Sequence, residues 1–338
     1  MKISILGSGA WGTAIAQLLN YNGHDITLWT KFEDEAKVLR ETRENPLLKG
    51  VKISERINIV SDLSDATIDV GAVMIAVPSF AIREIAETLK GKISNDCIVV
   101  CMSKGIEKDT SLLFTSIVEN ILGEQSRIAA VTGPTHAEEV ARALPSACVA
   151  VSSDLAVAEQ VQSLLMNEYF RVYTSTDVVG AELGAALKNV IAVSAGVCIG
   201  LGFGDNTTAM LMTRGLAEIA ELCVAMGGRK ETLAGLTGLG DLIVTCMSEH
   251  SRNRSAGVLI GKGMSVMDAM REVGAVVEGY YAANAVQKLA KEMNVDMPIC
   301  HEVYRVLYED KSPMQSMRDL MERRKKSENP TGEECWVI

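Results

Sequence analysis

The sequence is poor in the residues that build metal sites and disulfide frameworks. Its 338 residues include only four histidines, and the eight cysteines contain no CxxC pair. A structural zinc site is therefore not expected, and we predict no bound metal. Several cysteines lie in apolar runs such as CIVVCMS (97–103), which is typical of reduced thiols in a cytoplasmic protein.

Excess positive charge and long apolar runs are also lacking. Lys and Arg number 33 against 43 Asp and Glu, for a net charge of −10. This balance argues against nucleic acid or an anionic membrane as partner, so any anionic substrate must be held by a local cluster of positive charge. No apolar run approaches the roughly 20 residues of a membrane span, and the chain passes from Met1 and Lys2 into a predicted strand without a secretory signal. We expect no stable membrane insertion.

The first half of the chain alternates between short apolar runs and helical stretches. Several runs are continuously apolar, as in parallel strands that are covered on both faces. This pattern predicts a doubly wound, Rossmann-type parallel sheet with helices, an α/β domain over residues 1–176. The predicted strands are 2–7, 25–30, 71–78, 97–103, 127–133, 146–153 and 170–175.

The alternation stops after about residue 176. Residues 177–338 are predicted to form a second, mostly α-helical domain that carries substrate and catalytic residues, and a chain of this length favours two domains. Helical spacing of Ala, Leu, Met and Val is clearest at 177–197, 208–227, 265–274 and 279–293. The polar stretch 323–334 is expected to be mobile.

A glycine motif follows the first predicted strand. Gly7, Gly9 and Gly12 form GxGxxG at the opening of a predicted helix, and a second strand follows at 25–30. In this context the glycines allow a tight turn, close approach of a pyrophosphate and close helix–strand packing. The motif predicts a dinucleotide site. Trp11, within the motif, could pack against the loop or contact the cofactor.

Polar residues also follow two later strands, where ligands of parallel sheets bind. Lys104 comes directly after the strand at 97–103, although a lysine there is often only solvated. Gly133 and Thr135 follow the strand at 127–133. Glu138 stands three residues after Thr135, so Thr135 could instead serve only as a helix cap.

The second half contains two further candidate groups. Gly235, Gly238 and Gly240 predict a flexible turn that carries Asp241, and SRNR (251–254) follows. A guanidinium with hydroxyl and amide neighbours suits a phosphate or carboxylate, although a surface charge cluster is the alternative. Lys188 lies in the otherwise apolar run AALKNVIAV (185–193), where it either extends to water or has its pKa altered by burial.

Together these motifs identify a family. The sequence resembles the bacterial type of NAD(P)-dependent glycerol-3-phosphate dehydrogenase over nearly its whole length. The stretches that carry the resemblance are GSGAWGTAIA (7–16), SKGIE (103–107), GPTHAEEV (133–140), LKNVIAV (187–193), GLGDLIVTC (238–246), SRNR (251–254) and VVEG (276–279). The resemblance implies reversible reduction of dihydroxyacetone phosphate to sn-glycerol 3-phosphate for glycerophospholipid synthesis, with NADP(H) and also NAD(H) as cofactors.

The resemblance also implies roles for individual residues. Lys188 would be the proton donor and acceptor, with Lys104 and Asp241 as further catalytic residues. The implied substrate contacts are Lys104, Gly133, Thr135, Lys188, Asp241, Ser251, Arg252 and Asn253. The implied cofactor contacts, beside the three glycines, are Ala10, Trp11, Lys31, Lys104, Ala137, Arg252, Val276 and Glu278. The chain departs from the family where Ala10 and Thr135 replace serine and Leu47 replaces an aromatic residue.

Two other functions fit parts of the pattern. A β-hydroxyacid or 6-phosphogluconate dehydrogenase also pairs a dinucleotide domain with a helical domain bearing a lysine, but there the lysine motif usually continues into two asparagines, whereas this chain has LKNV. A nicotinamide-binding sensor without turnover would not need Lys188, Lys104 and Asp241. A helical second domain is also compatible with a homodimer.

The end of the second strand bears on which cofactor is preferred. NAD-selective domains place an acidic residue there to bind the ribose 2′-hydroxyl. Here the strand ends in Trp29-Thr30-Lys31, and Glu33 is expected within the next helix. With no acid predicted near the strand end and Lys31 able to attract a 2′-phosphate, we expect NADPH to be preferred over NADH, with both accepted.

Overall fold

A computed structural model of the chain describes residues 1–124, 126–325, 327 and 328. Lys326 and residues 329–334 of the polar stretch 323–334 lie outside the described residues, as does Cys335. The other seven cysteines are free and buried.

The N-terminal region of the described chain forms an eight-stranded sheet in the order β3-β2-β1-β4-β5-β6-β7-β8. All of the strand pairs are parallel except β6–β7. The order reverses between β1 and β4, and a ligand crevice forms at such a point in a doubly wound sheet. The strands are β1 (Lys2–Leu6), β2 (Asp25–Trp29), β3 (Asn58–Val60), β4 (Ala72–Ile75), β5 (Ile98–Cys101), β6 (Arg127–Thr132), β7 (Ser146–Val151) and β8 (Phe170–Ser175).

The predicted Rossmann-type sheet is confirmed, with two differences. The edge strand β3 was not predicted, because a strand of three residues is too short to show an apolar pattern. In addition, β7 runs antiparallel to β6, so the sheet is mostly rather than wholly parallel. The continuous apolar run of β7 resembles that of the parallel strands, because both faces of the strand are covered and burial does not depend on strand direction.

Helices connect the strands, and all of the regular secondary structure described after β8 is helical. They are α1 (Ala10–Tyr21), α2 (Glu33–Thr42), α3 (Leu63–Thr67), α4 (Ile82–Leu89), α5 (Phe114–Leu122), α6 (Ala137–Val140), α7 (Leu155–Leu165), α8 (Val178–Gly200), α9 (Asp205–Ala225), α10 (Lys230–Leu233), α11 (Asp241–Met247), α12 (Arg252–Gly261), α13 (Val266–Val273), α14 (Glu278–Met293), α15 (Pro298–Tyr308) and α16 (Pro313–Met321). A 3₁₀ turn (Ser79–Ala81) precedes α4, and a π-helical turn (Leu236–Gly240) leads directly into α11.

Alternate residues of the strands supply the cores on the two faces of the sheet. Ile3 and Ile5 of β1 belong to one apolar cluster, whereas Leu6 belongs to the other. This alternation is the strand period of two, and it explains why the strands appear as continuous apolar runs. A further cluster surrounds α8 in the helical region.

Helix α8 is the central element of the helical region. It has 23 residues and a hydropathy of 1.6, so by length and composition it could cross a membrane, but 83% of its apolar window is buried inside the protein. The expectation that no apolar run approaches that length is therefore wrong. The run is long because neighbouring helices cover α8 on nearly every side, which makes it a core helix.

Helices α8 and α12 cross at glycines. A Cβ atom at Gly196 would lie 2.1 Å from the Arg254 carbonyl oxygen, and one at Gly257 would lie 2.1 Å from the Val193 carbonyl oxygen. Neither position admits a side chain, so the two backbones pack directly against each other. This contact holds the start of α12 beside the middle of α8, where Lys188 lies.

Candidate active site

The glycine loop has the shape that a dinucleotide requires. Gly7 has φ +117°, and a Cβ there would lie 2.5 Å from the Ala76 carbonyl oxygen. A Cβ at Gly12 would lie 1.9 Å from the Gly7 carbonyl oxygen, whereas one at Gly9 would meet no described atom within 4 Å. The loop is thus closed towards the protein and open at Gly9. Since α1 begins at Ala10, its free N–H groups can receive a pyrophosphate there.

Two side chains, those of Asn45 and Trp11, hold this loop in place through hydrogen bonds. The Asn45 Nδ2 group donates to the Ser8 carbonyl oxygen at 2.7 Å and to Thr13 Oγ1 at 2.6 Å. Trp11 Nε1 donates to the Met102 carbonyl oxygen at 3.1 Å, just beyond the end of β5. The indole therefore has a structural partner, and its contact with cofactor stays a prediction.

The chain after β2 differs from its predicted arrangement. Glu33 is the first residue of α2, as expected, and Lys31 forms an ion pair with Glu84 at 2.7 Å. However, Glu35 accepts hydrogen bonds from the Ser8 hydroxyl at 2.7 Å and from the Thr30 hydroxyl at 2.6 Å. The premise that no acid lies near this strand end is wrong, because the first turn of α2 directs Glu35 back to the strand and the glycine loop.

A charged cluster joins the sheet to the helical region. Asp241 accepts a hydrogen bond from Lys104 Nζ at 2.9 Å through one carboxylate oxygen and one from Lys188 Nζ through the other. Lys188 Nζ also donates to Thr245 Oγ1 at 2.8 Å, and Lys104 Nζ donates to the Gly133 carbonyl oxygen at 2.7 Å. Lys104, Gly133, Lys188 and Asp241, predicted from separate motifs, therefore lie together.

The position of Asp241 is more rigid than its glycine-rich surroundings suggested. The predicted flexible turn is instead the π-helical turn 236–240, so Asp241 is a helical residue and only 1% exposed. A Cβ at Gly238 would lie 2.1 Å from the Leu233 carbonyl oxygen, so this glycine permits close packing. π-Helical turns of this kind often occur at functional sites.

Burial and charge set the ionisation of the cluster. Burial lowers the pKa of Lys188 to about 8, although Asp241 acts in the opposite direction. Burial alone would raise the pKa of Asp241, but the ammonium groups of Lys104 and Lys188 outweigh it and lower that pKa below its ordinary value. An ionised carboxylate thus holds a buried lysine that can gain or lose its proton near neutral pH. Lys188 is 6% exposed, so it does not extend to water.

The loop that carries Lys104 is tied to the sheet domain. Arg83 of α4 donates two hydrogen bonds to Glu107, at 2.9 and 2.7 Å. Ile106 and Leu113 also pair across the loop in an isolated β-bridge. These contacts fix the backbone on the far side of Lys104, so its side chain can reach Asp241 in a defined direction.

The SRNR segment begins α12. Ser251 is its N-cap and accepts a hydrogen bond from the Arg254 N–H at 3.2 Å. Asn253 donates to Asn189 Oδ1 at 2.9 Å and accepts from the Gly279 N–H at 2.8 Å. These side chains therefore join α8, α12 and α14.

Arg252 differs from its two neighbours in SRNR. It is exposed, and its guanidinium has no hydrogen-bond or ion-pair partner in the described part of the chain. Burial raises the pKa of Glu278, and the positive charge of Arg252 acts through space against that rise. Since Ser251 and Asn253 hold the helix start, the exposed guanidinium of Arg252 is free to bind an anion.

The capping alternative for Thr135 is not observed. Its hydroxyl donates to the Gly133 carbonyl oxygen at 3.2 Å, and the N-cap of α6 is His136, without a side-chain cap. The His136 ring packs edge-on against His250, and burial, followed by the charge of Lys188, lowers its pKa. His136 Nε2 is buried without a hydrogen-bond partner in the described residues.

The remaining predicted cofactor residues lie at helix starts. Ala137 opens α6, and Glu278 opens α14 two residues after Val276. Hydrogen bonding from Ser79, which follows β4, lowers the pKa of Glu278 against the larger rise that burial causes. This contact joins the helical region to the sheet beside the crevice between β1 and β4.

Sequence reasoning missed several residues that the structure brings to the site. Thr245 could have been found, because it lies four residues after Asp241 and so on the same helix face. Asn45 and Glu35 carry no such signal. Their contacts with the glycine loop depend on how a loop and a helix fold back onto it.

Comparison with known proteins identifies the family. Residues 2–158 match the family described as NAD-dependent glycerol-3-phosphate dehydrogenase N-terminus, and residues 177–318 match its C-terminus. The chain is 48% identical to glycerol-3-phosphate dehydrogenase (NAD(P)+) of Thermoanaerobacter sp. strain X514, covering 97% of this chain and 99% of that protein. It is 46% identical to the protein of the same name from Fusobacterium nucleatum, covering 97% and 98%. The crystal structure of glycerol-3-phosphate dehydrogenase from Coxiella burnetii superposes with a TM-score of 0.92 at 36% identity, covering 95% and 99%.

The chain belongs to the NAD(P)-dependent glycerol-3-phosphate dehydrogenases. It interconverts dihydroxyacetone phosphate and glycerol 3-phosphate with NAD(P) as cofactor, consistent with phospholipid biosynthesis. The resemblance predicted from the motifs is confirmed. The β-hydroxyacid dehydrogenase and sensor alternatives are wrong, because the matches of this dehydrogenase family cover both regions of the chain.

Proposed function

We propose that Lys188 is the proton donor when this dehydrogenase reduces dihydroxyacetone phosphate and the proton acceptor in the reverse reaction. The observation that carries the proposal is the Asp241 carboxylate, which accepts hydrogen bonds from both Lys188 and Lys104. The ammonium of Lys188 polarises the ketone oxygen and stabilises the alkoxide that develops there. A bound nicotinamide cofactor supplies the hydride in reduction and takes it up in oxidation.

Lys104, Asp241 and Thr245 position that proton. Thr245 Oγ1 donates to the Asp241 carbonyl oxygen at 2.6 Å and accepts from Lys188, which orients the ammonium. Asp241 holds Lys188 charged against the cost of burial, and Lys104 supplies a second positive charge for the substrate. The proton of Lys188 is thereby kept at one place in the cleft.

The assay for this function compares substrates. Purified protein should oxidise both NADPH and NADH when dihydroxyacetone phosphate is added. It should oxidise neither with a β-hydroxyacid semialdehyde or without substrate. Turnover of the semialdehyde at a comparable rate would contradict the assigned substrate.

The phosphate of the substrate is the proposed ligand of Arg252. Gly133, Thr135, Ser251 and Asn253 complete the predicted substrate site, the last two by holding the start of α12 in place. Arg252 carries a free guanidinium in a protein of net charge −10, so it supplies the local positive charge that an anionic substrate requires.

We expect Arg252→Ala to raise the KM for dihydroxyacetone phosphate far more than that for unphosphorylated dihydroxyacetone. Losing one charge-assisted hydrogen bond costs about 1.5–3 kcal/mol, or roughly 10- to 150-fold. Arg271→Ala, which removes an exposed arginine of α13, is the matched control. NADPH affinity is measured in parallel because Arg252 is also a predicted cofactor contact. An equal rise in KM for both substrates would show that Arg252 does not bind the phosphate.

The cofactor is proposed to lie against the glycine loop and the starts of α6 and α14. Its predicted contacts are Gly7, Gly9, Ala10, Trp11, Gly12, Lys31, Lys104, Ala137, Arg252, Val276 and Glu278. The open space at Gly9 supports this placement. Lys31 is proposed to bind the 2′-phosphate of NADPH in exchange for its exposed ion pair with Glu84.

Lys31→Ala is expected to weaken NADPH binding about tenfold at low salt and to leave NADH binding nearly unchanged. A partly exposed charge-assisted contact of about 1.5 kcal/mol corresponds to that factor. The dissociation constants are measured by titrating nicotinamide fluorescence. Lys37→Ala, an exposed lysine of α2, is the control for a general loss of charge. A similar loss with both cofactors would contradict the role of Lys31.

We also propose that the chain divides into two domains between residues 176 and 177. We further propose that it forms a homodimer in the cytoplasm. The last strand ends at Ser175 and α8 begins at Val178, which supports separate sheet and helical domains. Free, buried cysteines support a reducing compartment. Sedimentation at several concentrations would test the dimer.

A further inference from the structure

Glu35 is the one acidic side chain in the described residues that bridges the end of β2 and the glycine loop. Its Oε1 atom accepts from the Ser8 hydroxyl at 2.7 Å, and its Oε2 atom accepts from the Thr30 hydroxyl at 2.6 Å. Ser8 lies between Gly7 and Gly9, and Thr30 directly follows β2. The carboxylate thus joins the two segments that border the adenosine ribose in a dinucleotide domain.

The anchoring of Ser8 makes this a built arrangement. Its carbonyl oxygen accepts hydrogen bonds from Asn45 and from Thr13, and Ser8 is 5% exposed. The hydroxyl is therefore held towards Glu35 from a loop that cannot shift freely. Each carboxylate oxygen has two lone pairs, so Glu35 keeps acceptor capacity after binding Ser8 and Thr30.

Two other charged residues near this strand end, Lys31 and Glu33, are separately paired. Lys31 pairs with Glu84 of α4, and Glu33 is bound to Arg40 and Ser61. The Glu33 carboxylate therefore binds groups outside the glycine loop, although Glu33 lies only two residues from Glu35. A 2′-substituent on the ribose would meet Lys31 and Glu35, which carry opposite charges.

We infer that Glu35 is a specificity-determining residue for the cofactor. Its carboxylate accepts a hydrogen bond from the ribose 2′-hydroxyl of NADH and repels the 2′-phosphate of NADPH. The residue acts from the first turn of α2 in place of an acid at the strand end. Opposed by Lys31, it allows this dehydrogenase to use both cofactors. This inference rests on the cofactor placement proposed above.

The test is the ratio of the NADH and NADPH dissociation constants at low salt. Glu35→Gln keeps the shape and one acceptor oxygen but removes the charge. We expect it to tighten NADPH binding by up to about fivefold, the upper range for one partly exposed charge acting on another, and to weaken NADH binding. Glu33→Gln makes the same charge change on the same helix without touching the loop, and it should alter the ratio less than twofold.

Two outcomes would overturn the inference. If Glu35→Gln weakened both cofactors alike, Glu35 would only brace the loop, and if Glu33→Gln shifted the ratio equally, the effect would be one of general charge. Ser8→Ala removes the bracing hydroxyl but keeps the carboxylate, so a shift as large as that of Glu35→Gln would also overturn it. If only Lys31→Ala failed to weaken NADPH binding selectively, the role of Lys31 would be contradicted and that of Glu35 would be unaffected. Weak binding of both cofactors to the wild type would contradict the cofactor site as a whole.

Discussion

Lys188→Met should lower kcat for reduction of dihydroxyacetone phosphate by on the order of 10²-fold or more. General acid–base catalysis contributes factors of this size, and methionine can neither donate a proton nor polarise the ketone. The same loss should appear in oxidation of glycerol 3-phosphate, because one group acts in both directions. Steady-state rates in the two directions measure it.

The folded state of this variant should be as stable as that of the wild type, or more so. Burial lowers the pKa of Lys188, which means that its charge costs free energy in the folded state. Methionine has a similar length and no charge, and Asp241 keeps its ion pair with Lys104 at 2.9 Å. A variant that kept most of its kcat would show that Lys188 is structural, and thermal unfolding would show whether lost activity reflects lost folding.

Asp241→Asn should impair both stability and turnover. The substitution preserves shape but leaves two ammonium groups beside a neutral amide in a buried site. Removing one partner of a buried ion pair costs about 3 kcal/mol or more in the free energy of unfolding. Because Asp241 raises the pKa of Lys188, its loss should lower that pKa further and reduce the ammonium fraction at neutral pH. We expect reduction at pH 7 to slow by on the order of 10²-fold.

The pH dependence of stability checks this explanation. A lysine whose folded pKa is lowered makes the protein more stable as pH rises towards its unfolded pKa, because the unfolded state binds more protons. Asp241→Asn should therefore be most destabilised near pH 7 and should recover towards pH 10, as followed by denaturant unfolding. Asp268→Asn, which breaks an exposed pair with Arg271, should change little. A pH-independent loss of stability would contradict the charge argument.

Much of the sheet could be predicted because burial leaves a local signal. Strands such as β4 and β5, covered on both faces, appear as unbroken apolar runs between turn residues. The glycine loop could be predicted equally well, since Gly12 is required by its contact with Gly7 within one strand–turn–helix unit and Gly7 by its positive φ. The short edge strand β3 and the direction of β7 depend on pairing partners, which a local pattern does not record.

The candidate site was predictable by residue type but not by arrangement. Lys104, Lys188 and Asp241 come from three distant segments, and their shared carboxylate arises only when α8 and α11 pack against the sheet. The glycines before Asp241 suggested a flexible turn because glycine is associated with turns, whereas Gly238 serves close packing in a π-helical turn. Glu35 was missed because its contacts form only in the folded chain, where its partners Ser8 and Thr30 are brought from other segments.

The central claim is that Lys188, held by Asp241, carries the proton, and pH profiles of kcat/KM in both directions test it most directly. These profiles report ionisations of the free enzyme, where the pKa of Lys188 is about 8. Reduction needs the ammonium and should fall as pH rises through that value, whereas oxidation needs the free amine and should rise through it. In Lys188→Met both the fall in reduction and the rise in oxidation should be absent. Wild-type profiles that stay flat between pH 7 and 9, or the same pH dependence in Lys188→Met, would contradict the assignment.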